Sequence, residues 1–140
     1  MGTRWLLEAS SLDAMSVTTD CWVLEDYERP WTSNTERRWH YHKRASVVRE
    51  ARERWAWIAL SQQMPMLNRV RITATPLQKT RRWEADVAAC YPAVKAAIDG
   101  LVDVGVLADD TPTQVSQITF KAPQIADTDG LRLTIEIDDE

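Results

Sequence analysis

Six carboxylates and one ammonium group occupy the stretch from Trp83 to Thr111: Glu84, Asp86, Asp99, Asp103, Asp109 and Asp110 around Lys95. Carboxylates offer hard oxygen donors, the kind that Mg²⁺ prefers. A lysine among them adds a fixed positive charge that can hold a phosphate oxygen or stabilise charge developing on it. This set suits a divalent-metal site acting on a phosphate backbone. The same residues also suit an ordinary solvated helix face followed by an acidic loop.

The charge upstream has the opposite sign. Arg29 to Arg82 holds thirteen Lys or Arg against three acids, Glu36, Glu50 and Glu53. Asp127 to Glu140 holds six acids and Arg132. The total of −4 would not by itself suggest a nucleic-acid binder, but the uneven distribution does. Within the basic half, Arg37, Arg38, Trp39, His40, Tyr41, His42, Lys43 and Arg44 interleave cations with rings. Cations meet phosphates, and rings stack on exposed bases. Lys79, Arg81 and Arg82 form a second basic cluster that feeds the acidic stretch. His40 and His42 are also candidate metal ligands, although in a helix they would point to different faces. The alternative is that basic and acidic segments neutralise each other across the fold.

The elements that must position these residues are legible in the periodicity. Pro92 suits the start of a helix. Val94, Ala97, Ile98, Leu101, Val102 and Val104 then share one arc, and Lys95, Asp99 and Asp103 line the next. Gly105 is a natural C-terminal stop, which leaves Asp109 and Asp110 in a loop or at a strand entrance. Lys43 to Leu60 reads as a second helix, with Val47, Val48, Ala51, Trp55, Ile58 and Ala59 on its apolar face and Trp57 off it. An off-face Trp57 would mark a partner surface or tuck under an amino-terminal arm. Strands are expected at Cys21–Leu24, Arg69–Thr75, Gln114–Lys121 and Leu131–Ile137, with residues 127–130 as a hairpin turn joining the last two. The order is β-α-β-α-β-β, a mixed α/β fold built on a small mixed sheet with two main helices.

At 140 residues the chain reads as one domain over residues 20–140, with residues 1–19 as an extension. Cys21 and Cys90 have neither metal-ligand nor disulfide-framework spacing, so a reducing compartment is expected. No apolar run reaches transmembrane length, and the first nineteen residues lack the long apolar core of a secretory signal.

This ordered set resembles the RusA-type Holliday-junction resolvases, small endonucleases of phages and prophages. The resemblance runs from about Trp22 to Ile137. Arg29-Pro30-Trp31-Thr32-Ser33-Asn34 resembles the family's Pro-rich turn with Ser-Asn. Lys95-Ala96-Ala97-Ile98-Asp99-Gly100-Leu101 is similar to its helix with Lys and Asp-x-Leu, and Gly105 to Asp110 to its Gly-to-Asp-Asp stretch. The family's D-x-D-N falls on Glu84-Ala85-Asp86-Val87, with Glu for the first Asp and Val for the Asn; another alignment puts Asp86 first and Ala88 second. The resemblance implies a Mg²⁺-dependent, homodimeric endonuclease that resolves branched DNA in the cytoplasm of a bacterium or phage-infected cell. It further implies Asp86 and Asp110 as main metal ligands and catalytic groups, Asp109 and Glu84 as further ligands, and Lys95 as a catalytic cation that holds the scissile phosphate or stabilises the transition state. Arg37, Arg38, Lys43, Arg44, Lys79, Arg81 and Arg82 would supply the basic setting for DNA. A family member that binds branched DNA without cutting is the alternative; a third reading is an interaction protein with a Trp-rich surface.

Overall fold

Nine residues from Val70 to Gln78 make the strand on which the others assemble. The computed structural model describes residues 20–80 and 86–138. Along them run β1 (Cys21–Asp26), the short α1 (Ser33–Glu36), α2 (Tyr41–Ser61), β2 (Val70–Gln78), α3 (Tyr91–Asp103), β3 (Val115–Phe120), the two-residue β4 (Gln124–Ile125) and β5 (Gly130–Ile137). The result is a mixed sheet with helices, as the periodicity predicts. The amino-terminal extension lies outside the described residues. No helix among the described residues is long and apolar enough to cross a membrane.

The sheet order is β1-β5-β2-β3, with β4 also pairing β2. β5 is antiparallel to both β1 and β2, whereas β3 and β4 run parallel to β2. The expected hairpin between β3 and β5 is therefore incorrect: β2 lies between them. Val70, Ile72, Ala74 and Leu77 of β2 and Leu131, Leu133 and Ile135 of β5 are buried, so both strands belong in the interior of the sheet. β3 is more exposed and takes an edge. The 127–130 turn instead carries the chain past the end of β2, where Lys79 N–H donates to Asp129 Oδ1 (3.0 Å).

β2 also continues past its expected end, through Pro76. Proline cannot donate to a ladder. Val70 N–H donates to Gln114 C=O and Ala74 C=O accepts from Lys121 N–H, so the even-numbered residues face β3. Pro76 then falls where β3 has ended and β4 has not begun, and no ladder bond is lost there.

α3 is the crossover between the parallel strands β2 and β3. Its Val94, Ala97, Ile98 and Leu101 join Leu24, Ile72, Leu133 and Ile135 in one core. Ala93, Ala96 and Gly100 are buried too, which makes the hidden face wider than one arc. The reason is α2, which packs along α3: a Cβ on Gly100 would lie 2.6 Å from the Arg52 carbonyl oxygen and 3.0 Å from Trp55 Cβ. Arg52 closes the contact with a two-pronged ion pair to Asp103 (2.9 and 2.7 Å).

Candidate functional site

Lys95 leaves α3 one turn before Asp99, and that spacing brings the two side chains together on the helix surface. The Lys95 ammonium donates to Asp99 Oδ1 at 2.8 Å and to Asp110 Oδ2 at 2.8 Å. The second bond depends on how the helix ends. Gly105 takes φ +81°, a left-handed conformation that glycine adopts without a Cβ penalty. Gly105 N–H donates to Val102 C=O and Val106 N–H to Leu101 C=O, the two bonds of a Schellman motif. Val106 and Leu107 then bury their side chains, and the chain turns back so that Asp110 reaches Lys95. Asp109 Oδ1 accepts from the Asp110 backbone N–H (2.8 Å), which fixes the adjacent pair.

Electrostatics hold Lys95 and Asp110 in their charged forms. The Lys95 hydrogen bond, with its positive charge, keeps the Asp110 carboxyl below the usual carboxylate range. Partial burial works against the Lys95 charge, but its hydrogen bonds to Asp110 and Asp99 outweigh it and push the ammonium pKa up. Both side chains remain open to solvent, 42% exposed for Lys95 and 34% for Asp110. An incoming anion can therefore reach them.

Asp86 lies in the turn before α3, where its Oδ1 accepts from Ala88 N–H (3.3 Å). It lines a cavity of about 110 Å³ with Arg29, Pro30, Thr32, the end of β2 (Pro76–Gln78), Cys90 and Asp129. Lys95, Asp109 and Asp110 do not line that cavity. Burial pushes the Cys90 thiol up, which favours its protonated form. Glu84, Arg81 and Arg82 lie outside the described residues. Among the described residues, no three His, Cys, Asp or Glu side chains are grouped closely enough to hold a metal ion. The carboxylates still match Mg²⁺ in donor type, and one or two protein carboxylates commonly suffice beside a substrate phosphate.

The basic corner is tied to this turn. Ser33 N–H donates to Ala89 C=O (2.9 Å), which anchors the start of α1 against the residues that follow Asp86. From there Arg37, Arg38, Lys43 and Arg44 are all exposed. His40 caps α2 through Nδ1, which accepts from His42 N–H (3.1 Å). Lys79 is exposed just beyond β2. The sequence did not single out Arg29 as a cavity residue, nor Asp129. Asp129 reaches the cavity only because β2 separates β3 from β5, a long-range pairing with no local signature.

No protein-family model matches the chain, and no curated protein matches it.

Proposed function

We propose that this chain is a metal-dependent endonuclease that cuts branched DNA, and that it works as a RusA-type junction resolvase. The observation that carries the reading is the Lys95 ammonium shared between Asp99 and Asp110, 2.8 Å from each. It is an exposed, firmly charged cation beside carboxylates, the pairing that phosphodiester hydrolysis uses.

Asp110 and Asp109, with Asp86 and, by its sequence position, Glu84, are the residues that would hold Mg²⁺, or Mn²⁺ in its place. A bound Mg²⁺ supplies Lewis-acid polarisation of a phosphate oxygen. Lys95 would pair with a second oxygen of the same phosphate, and Asp99, which accepts from its ammonium at 2.8 Å, would hold it in place. Arg37, Arg38, Lys43, Arg44 and Lys79, with Arg81 and Arg82, would contact the backbone, reading charge and branched shape. A junction has two-fold symmetry, and a C₂ homodimer would cut both opposed strands. A cytoplasmic location goes with this substrate.

A second reading is a protein that binds branched DNA without cutting it. Its support is that Asp86 lines a cavity with Arg29 that neither Lys95 nor Asp110 lines. Incubation with a synthetic four-way junction and a matched linear duplex, in Mg²⁺, Mn²⁺ or EDTA, separates the two. Nicks on the junction that EDTA abolishes support the endonuclease. Salt-sensitive junction binding with no nicks in either metal supports the second reading.

A further inference from the structure

Arg37 to Arg44 carries four cations and no acid. Among the described residues, Arg38, Lys43 and Arg44 have no ion-pair partner, and Arg37 is held only by the side chain of the neutral Asn34. The nearest acid in sequence, Glu36, accepts from Trp31 Nε1 (3.1 Å). Three consecutive rings gather at the start of α2. The His40 and Tyr41 centroids are 4.5 Å apart at 28°, Tyr41 and His42 4.1 Å apart at 37°, and His40 and His42 5.0 Å apart at 25°. Beside them Lys43 Nζ sits 5.1 Å from the Trp39 ring, which leans on Trp31 at 6.2 Å. Tyr41 is 61% exposed, although it is the largest ring of the trio.

Each feature selects among ligands. Unpaired cations select a polyanion. Exposed planar rings select a flat π-face, which every nucleobase has and a closed duplex hides. We propose that the Trp39–Arg44 corner is a platform for unpaired bases of a DNA single strand, with Tyr41 as its principal stacking ring. The choice of DNA rests on the function proposed above. The platform adds a substrate feature to it: branched DNA with unpaired nucleotides at the branch is favoured over fully paired arms.

Binding measured in EDTA tests the platform independently of any cleavage. The probes are a fluorescent oligodeoxythymidine of about fifteen nucleotides, near the upper site size for one stacking groove, and a duplex of equal length. His40 is left intact because it caps α2. Tyr41→Ala should weaken single-strand binding about 5- to 150-fold, the usual effect of deleting a stacking ring. The same change should leave duplex binding within about twofold, and Tyr41→Phe should restore the single strand. In the unaltered protein, a strand carrying 5-bromodeoxyuridine should photocrosslink within residues 39–44. Unchanged single-strand affinity in Tyr41→Ala, an equal loss on duplex, or crosslinks confined elsewhere would overturn the proposal. Absence of Mg²⁺-dependent nicking would count against the endonuclease reading and leave this result standing.

Discussion

Lys95 is the residue on which the proposed chemistry turns. Its pairing with Asp99 is legible from sequence, because residues four apart on a helix are neighbours. Its pairing with Asp110 is not, since it needs the chain reversal at Gly105. Asp110→Asn removes the charge and keeps the shape. Junction cleavage should fall by about 100-fold or more, in the range seen when one electrostatic stabiliser is deleted. Stability should change by less than about 1 kcal/mol, because both partners are well exposed and screened. Asp99→Asn should cost less, about tenfold in cleavage, as it aims Lys95 without being expected to touch the phosphate. The pair also predicts a pH dependence. Asp110 titrates below its ordinary value, so its stabilising share is present above about pH 3.9 and is lost as pH falls through the lowered value. Lys95 titrates above its ordinary value, so its share is present below about pH 10.4 and is lost as pH rises through the raised one. Thermal melts of wild type and Asp110→Asn should differ by a constant amount at neutral pH and converge in acid. A gap that widened below about pH 4 would contradict the assignment.

At the scale of elements, α3 positions the site and two glycines position α3. Gly100 lets α2 approach; Gly105 ends the helix. Gly100→Ala improves intrinsic helix propensity by about 1 kcal/mol, yet its Cβ would meet the Arg52 backbone carbonyl at 2.6 Å, which cannot swing away. Overpacking wins, and a net loss of about 1–3 kcal/mol should appear as a lower urea midpoint. A Cβ at Gly105 meets nothing within 4 Å. Gly105→Ala therefore costs only the left-handed backbone conformation, about 1–2 kcal/mol, and should weaken cleavage by loosening Asp110. Most of these elements were readable from the periodicity: α2 and α3 begin and end within two residues of expectation, and Val70, Ile72 and Ala74 share the buried face of β2. What the sequence could not convey was strand order. A turn signal at 127–130 reads the same whether the next strand returns beside β3 or crosses the end of β2. The two-sided burial of α3 was hidden for the same reason, because an alanine or glycine on a helix gives no sign that a second helix lies against it.

For the whole molecule, the division of charge is the feature with consequences for partners. The basic corner around α1 and the start of α2 is tethered through Ser33 and Ala89 to the turn that carries Asp86, so a polyanion held by the one lies beside the other. Affinity for DNA should fall steeply with salt, and neutralising Lys43 and Arg44 together should lower the slope of log K against log[salt] by about 1.8 on duplex arms, at about 0.9 per lost phosphate contact. A slope that does not move would assign DNA binding to another surface. Trp57, 68% exposed on the far part of α2, belongs to neither group and has no assigned role. The most direct test of the central claim is single-turnover cleavage of a four-way junction by wild type and Lys95→Met, each with Mg²⁺ and with EDTA, with the cuts mapped on all four strands. The account predicts paired, symmetric cuts by the wild type in Mg²⁺ alone, and their loss in Lys95→Met with junction binding retained. Cutting that persists in Lys95→Met at the wild-type rate, or no cutting by the wild type in Mg²⁺ while the junction is bound, would contradict it.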